Sequence, residues 1–219
     1  MQDVIQIIRE TGVVAIARRV PAGQIVPMAK ALYAGGIRLL EITFDQQAED
    51  NIAVTTAAIR SVCAAMGDAM AVGAGTVLTE QQAEAAVAAG ASFLLSATVN
   101  QAVIQKAKAL GVVMIPGAMT PTEIYDAYAY GADIIKVFPA GSLGTTYIKA
   151  LRGPLPQIPL LAVGSIDVEN TAAYIRAGTM GVGVGGKLMK PDFGAANWER
   201  ELTQLAAGYI AAAKEAQNG

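Results

Sequence analysis

The sequence predicts an α/β chain folded as a (β/α)₈ TIM barrel with a short extra N-terminal helix, a single domain over residues 1–219. Three observations lead there. About eight short β-branched runs each precede a stretch of helical spacing, the alternation that builds a parallel sheet covered by helices. Helices repeatedly end in Ala-Gly or Leu-Gly, at Gly90, Gly111 and Gly178, which suits a left-handed C-cap. The 53% apolar content and mean hydropathy of +0.42 derive from Ala, Val and Ile, as expected of strands buried on both faces. The chain is a little shorter than the ~250 residues typical of this barrel, and no Pro/Ser-rich or charged tract offers a linker. A doubly wound open sheet is the structural alternative.

Taken in order, residues 1–10 read as a short amphipathic helix, and Asp3, Arg9 and Glu10 interrupt any apolar core of a signal peptide. Strand Val13–Ala17 ends in Arg18-Arg19 and is followed by helix Ile25–Tyr33, closed by Gly35-Gly36. The pattern repeats as strand Leu39–Phe44 with helix Asn51–Met66, and strand Ala71–Val77 with helix Glu80–Ala89. Strand Phe93–Ala97 precedes helix Gln101–Leu110, and strand Val113–Gly117 precedes helix Pro121–Tyr130. The run Ile134–Ala140 lies between Gly131 and Gly141, with a helix around Tyr147–Leu151 after it. Leu155–Pro159 is a Pro-bounded loop into strand Leu160–Val163, followed by helix Val168–Ala177, strand Gly181–Val184 and a terminal helix.

Composition removes several function classes. A net charge of −2 and a pI near 5.2 argue against nucleic acid as a partner. The apolar runs are broken by Gly and charges and fall short of the ~20 residues of a membrane span, so no membrane partner and a cytoplasmic location are expected. Cys63, the sole cysteine, can form neither an internal disulfide nor a thiolate metal site, and is expected buried on a helix, a catalytic thiol being the other reading. The chain contains no histidine. That excludes Ser-His-Asp and Cys-His nucleophile systems and His-ligated zinc, leaving proton transfer to carboxylate, lysine, tyrosine or water.

Lys136 sits in the middle of an apolar strand, sharing a face with Ile134 and Phe138. Burial of an unpaired ammonium is relieved by a lowered pKa, and the neutral amine is a nucleophile able to form a Schiff base with a ketone. The bland alternative is a strand-end lysine reaching solvent or pairing with a carboxylate. Glu41 shares a face with Leu39 and Thr43, so in a closed barrel it can face Lys136 across the interior, as a functional carboxylate or a structural ion-pair partner. Gly73 and Gly75 end the third strand with little bulk, either leaving room for a ligand beside the Thr76 hydroxyl or serving tight packing. Gly164-Ser165 after the seventh strand, and Gly183, Gly185 and Gly186 at the eighth, occupy the loops where barrels bind phosphate; Lys187 adds a cation. Tyr125, Tyr128 and Tyr130 on the fifth helix suit an outer or subunit-contact face.

Four motifs, in order and spacing, resemble the bacterial 2-keto-3-deoxy-6-phosphogluconate (KDPG) / 4-hydroxy-2-oxoglutarate (KHG) aldolase family. They are Glu41-Ile-Thr, Gly73-Ala-Gly-Thr-Val-Leu78, Ile115-Pro-Gly117 with Thr120-Pro-Thr122, and Lys136-Val-Phe-Pro139. The resemblance spans about Val13 to Leu188. It implies a class I aldolase needing no metal or other cofactor, acting on pyruvate and a phosphorylated 2-keto sugar acid, and assembled as a homotrimer. By that resemblance Lys136 is the Schiff-base lysine and Glu41 the general acid/base. Thr76 helps hold the pyruvate carboxylate, Phe138 packs beside the imine, and Gly164, Ser165, Gly185 and Gly186 match the phosphate loops.

The chain also departs from the gluconate pattern. Asp45 stands where an arginine usually holds the substrate carboxylate, Lys187 replaces a serine, Ser96-Ala97 replaces Ser-Pro, and Val163 replaces a threonine. The missing arginine together with Val163 looks more like the related 6-phosphogalactonate aldolases, in which a first-strand arginine, here Arg18, is available for the carboxylate. Two further readings stay open: a metal-dependent pyruvate aldolase using carboxylates and Mg²⁺ or Mn²⁺, and a sugar-phosphate-binding barrel without turnover.

Overall fold

A computed structural model describes residues 3–189 and 191–218, excluding the side chains of Lys187 and Met189. Within it, β1 (Val13–Ala17), β2 (Leu39–Thr43), β3 (Ala71–Gly75) and β4 (Phe93–Leu95) are consecutive parallel neighbours. β5 (Val113–Ile115) continues that order beside β4, and β6 (Gly117–Ala118) begins the other half, beside β7 (Ile135–Val137), β8 (Leu160–Val163) and β9 (Gly181–Val184). β1 pairs with both β2 and β9, which closes the ring on that side. On the other side β5 and β6 flank Pro116, whose ring removes a backbone donor, so one stave bonds to β4 before the proline and to β7 after it. Counting that stave once, the ring is the predicted (β/α)₈ barrel.

Helices alternate with the strands: α1 (Val4–Thr11), α2 (Ile25–Ala34), α3 (Asn51–Met66), α4 (Glu80–Ala88), α5 (Gln101–Ala109), α6 (Pro121–Ala129), α7 (Ala140–Arg152), α8 (Val168–Arg176) and α9 (Trp198–Asn218). Their starts follow local chemistry. Thr79, Asn100, Thr120 and Asp167 each accept a backbone N–H at the N-cap, and Thr120 with Glu123 forms a full capping box. Several strands stop one or two residues short of expectation, β3 at Gly75 and β4 at Leu95 among them, and two boundaries around Lys136 differ more. The Lys136 strand stops at Val137, and Ala140 already opens α7, which is interrupted at Gly144 (φ 77, ψ 169) before the expected Tyr147 segment. Gly144 supplies a positive φ that a Cβ would strain, so the helix restarts there.

The strands are buried on both faces and therefore separate two cores. Val14, Ile16, Leu39, Phe93, Leu95, Ile115, Ile134 and Leu161 fill the barrel, and Val4 and Ile8 of α1 close its N-terminal mouth. Alternate residues such as Ala15, Leu40, Val72, Leu94, Ile135 and Ala162 pack outward against the helices. Each Val, Leu, Ile or Phe among them contributes about 1.5–3 kcal/mol on burial, which explains why the runs carry few polar residues. Residues 51–69 are long and apolar enough to cross a membrane by length and composition alone; here the helix contacts α2, α4, β2 and β3, with Thr55, Thr56, Ile59 and Val62 buried. Cys63 lies on this helix half-buried, with its thiol 3.5 Å from the Gly90 carbonyl oxygen and its pKa pushed up by burial.

Candidate active site

Inside the barrel, two polar groups take the place of the apolar side chains that form the layers below. Glu41 follows Leu39 on β2 and Lys136 follows Ile134 towards β7, each on the inward face and one step nearer the C-terminal mouth. β2 and the β7 stave are second and sixth of eight, so the two residues project from opposite walls. Glu41 is 1% and Lys136 7% exposed.

Among the described residues no ion pair within 4.0 Å joins them, which sets aside the structural ion pair as the reason for their burial. Glu41 Oε2 is buried without a hydrogen-bond partner. Burial raises the Glu41 carboxyl pKa above the ordinary carboxylate range, opposed by the charges of Lys136 and Arg18. Burial lowers the Lys136 ammonium, with Glu41 opposing and Arg18 reinforcing the shift. The two ionisations are thereby drawn toward each other. A neutral amine and a carboxyl able to exchange a proton are the components of imine chemistry.

The Glu41 carboxylate occupies space that glycine provides. A Cβ on Gly75 would stand 1.6 Å from Glu41 Oε1, and one on Gly73 would stand 2.4 Å from the Phe93 ring. The two glycines thus serve tight packing, and the room they leave is filled by Phe93 and Glu41, not by a ligand. Gly75→Ala is expected to displace the carboxylate and lower kcat by one to two orders of magnitude. Retention of wild-type kcat would refute this placement.

A cleft of about 550 Å³ opens over this pair, lined by Ile16, Arg18, Arg19, Phe138, Val163, Gly164, Ser165, Ile166, Gly183, Gly185 and Gly186. It brings together all but two of the expected binding residues. Lys187 lies outside the described side chains, although its backbone continues the turn Gly186–Met189. Thr76 is not on the cleft wall; it directly follows β3, with its carbonyl accepting a 2.8 Å hydrogen bond from Gln46 Nε2. Glu41 and Lys136 lie beneath the cleft and are likewise absent from its lining. Phe138 links the two levels: its ring centroid is 5.0 Å from Lys136 Nζ, and a Cβ on Gly164 would lie 3.3 Å from the ring's own carbons. The β8 loop is held against α7 by a 2.9 Å bond from Gly141 N to the Gly164 carbonyl.

Arg18 is exposed and, among the described residues, has neither a hydrogen-bond nor an ion-pair partner. Asp45 is committed elsewhere. Arg19 Nε and Nη2 donate to its two oxygens at 2.8 and 3.0 Å, and the guanidinium holds the carboxyl below its usual range. Arg19, Thr76 and Ser165 are the described non-glycine residues with positive φ, at 54°, 55° and 55°. All three follow the C-terminal ends of strands, the end at which such barrels place chemistry.

A family model described as "KDPG and KHG aldolase" matches residues 4–205. The chain belongs to the KDPG and KHG aldolase family. As a member of this family it is an aldehyde-lyase. It is 31% identical over 204 residues to the 2-dehydro-3-deoxy-6-phosphogalactonate aldolase of Escherichia coli K12, covering 93% of this chain and 95% of the relative. To the 2-dehydro-3-deoxy-phosphogluconate aldolase of Treponema pallidum it is 42% identical, over 68% of this chain and 69% of the relative. A solved structure described as native KDPGal superposes with a TM-score of 0.84 at 30% identity, covering 94% of this chain and 96% of that one.

Sequence reasoning missed the engagement of Asp45 by Arg19. A signal was available: Ile16 pairs with Glu41 and Ala17 with Ile42, so charges just beyond the two strand ends fall side by side.

Proposed function

We propose that this chain is a class I aldolase that reversibly cleaves a 2-keto-3-deoxy-6-phospho sugar acid of the gluconate type, with 4-hydroxy-2-oxoglutarate as a further substrate, through a Schiff base on Lys136. The observation that carries it is a buried lysine of lowered pKa facing a buried carboxyl of raised pKa beneath an open cleft. The amine adds to the C2 carbonyl and water leaves, giving a protonated imine. Glu41, directly or through water, takes the proton of the C4 hydroxyl. The C3–C4 bond then breaks, its electron pair enters the iminium to give an enamine, and glyceraldehyde 3-phosphate departs. The proton held by Glu41 returns to C3, and hydrolysis of the imine frees pyruvate and Lys136.

In this reading Phe138 packs beside the imine, and Thr76 and Arg18 hold the carboxylate. Val163 borders the sugar chain, and the backbone amides of Gly164, Ser165, Gly185 and Gly186 receive the phosphate, with Lys187 adding charge. Arg18→Ala is expected to raise the half-saturating concentration of pyruvate about tenfold, the loss of roughly one charge-assisted contact. It also removes a positive charge that lowers the Lys136 pKa, so the acid limb of imine formation moves to higher pH. Unchanged pyruvate affinity would remove Arg18 from the site.

The galactonate epimer is the second reading, favoured by the unpaired Arg18 in the cleft and the engagement of Asp45 by Arg19. Comparing kcat/KM for the two C4 epimers decides between them, and release of pyruvate from neither overturns both. Assembly as a homotrimer belongs to the same proposal. Met119, Tyr125 and Tyr128, each at least 40% exposed, offer an apolar contact face; light scattering at the mass of one chain would overturn it.

A further inference from the structure

Three consecutive residues after β2 reach alternately to the loops on either side. Asp45 takes both donors of the Arg19 guanidinium edge, and Gln47 Oε1 accepts a second bond from Arg19 Nη2 at 2.8 Å. Gln46 points the other way, donating to the Thr76 carbonyl at 2.8 Å. That side is braced from below: the buried Gln82 donates to Gln46 Oε1 at 3.2 Å and accepts from Leu78 N at 2.8 Å. Both anchored residues, Arg19 and Thr76, hold the left-handed backbone conformation that side chains disfavour. Such a conformation persists when its surroundings over-determine it, and the three residues 45–47 supply that constraint to both loops.

Each anchor is, or adjoins, a residue that the aldolase reading assigns to the substrate carboxylate. Arg18 immediately precedes Arg19 and presents an unpaired guanidinium to the cleft, while Thr76 carries the hydroxyl. We propose that Asp45, Gln46 and Gln47 form a positioning strap that presets Arg18 and Thr76 for a substrate carboxylate. The assignment of that subsite rests on the aldolase reading above; the strap does not. Asp45 neutralises Arg19 and ties it to the neighbouring loop, so that Arg18 is left as the guanidinium directed to the anion. Reversal of charge at position 45, relative to the arginine usual in the gluconate enzymes, thus changes a residue from ligand to brace.

The test is the half-saturating pyruvate concentration for borohydride trapping, measured with its maximal yield in Asp45→Ala, Asp45→Asn and Gln46→Ala. Asp45→Ala is expected to raise half-saturation about fivefold at unchanged maximal yield. Asp45→Asn, keeping one acceptor oxygen, falls between it and wild type, and Gln46→Ala weakens pyruvate through the Thr76 side. Asp45→Ala combined with Arg19→Ala is no worse than Arg19→Ala alone, because loss of Arg19 already removes the link to Asp45. A lowered Tm with half-saturation unmoved would overturn the strap. Should wild type give no adduct, the imine mechanism falls, and calorimetric pyruvate affinity decides the strap: weakened in Asp45→Ala it stands, equal to wild type it fails. Failure of wild type to bind pyruvate overturns both.

Discussion

Borohydride reduction with pyruvate is expected to leave a pyruvyl adduct on Lys136, and Lys136→Ala is expected to lose the adduct together with turnover, by a factor on the order of 10⁴ or more. The size follows from the division of labour in the barrel. Lys136 is buried at 7% exposure, and its side-chain amine has no hydrogen-bond or ion-pair partner among the described residues, so it is not held in a structural pair. Burial lowers its pKa and frees a nucleophile at a pH where an ordinary lysine is an ammonium. Trapping should therefore persist well below the ordinary lysine range and fall away as pH drops through the lowered value. Intact and peptide mass spectrometry reads the adduct and its position. Full turnover in Lys136→Ala, or an adduct on another lysine, would remove the Schiff base from position 136.

Glu41→Gln is expected to lower kcat by about 10²–10⁴ while imine trapping survives, the range for loss of a positioned proton-transfer group. The amide is close in shape to the carboxyl, so the seat over Gly75 remains filled. Two pH effects accompany the change. Glu41's negative charge raises the Lys136 pKa, so its removal moves the acid limb of trapping to lower pH, opposite in sign to Arg18→Ala. The folded carboxyl pKa lies above its unfolded value, so wild-type Glu41 favours the fold below the ordinary carboxylate range and loses that contribution as pH rises through the raised value. Glu41→Gln should consequently have the higher Tm near neutral pH, with the gap closing on acidification toward pH ~4. A kcat within twofold of wild type would show that another group moves the proton.

Where sequence reading and structure part company, the reason is local. The Lys136 strand was expected to run to Ala140, because Val137, Phe138 and Ala140 continue an apolar pattern; it ends at Val137, since the chain turns at Phe138-Pro139 into α7. Gly73 and Gly75 read equally well as ligand space or as packing, and only the positions of Phe93 and Glu41 distinguish the two. Cys63 was expected buried; it is half-buried because α3 presents it at the helix layer's edge, beside Gly90.

The sequence by itself determined the alternation of eight staves with helices, the exclusion of histidine chemistry, and the choice of Lys136 and Glu41 as the polar residues of apolar strands. Those features depend on periodicity and composition, which are properties of neighbours along the chain. Tertiary structure alone decided that the two residues project from opposite walls without touching and that Arg18 is unpaired in the cleft. It alone placed Glu41 in the volume opened by Gly75, and tied Asp45 to a guanidinium 26 residues away. Each of these is set by closure of the ring and the register of adjacent strands, which bring together side chains that no local pattern relates.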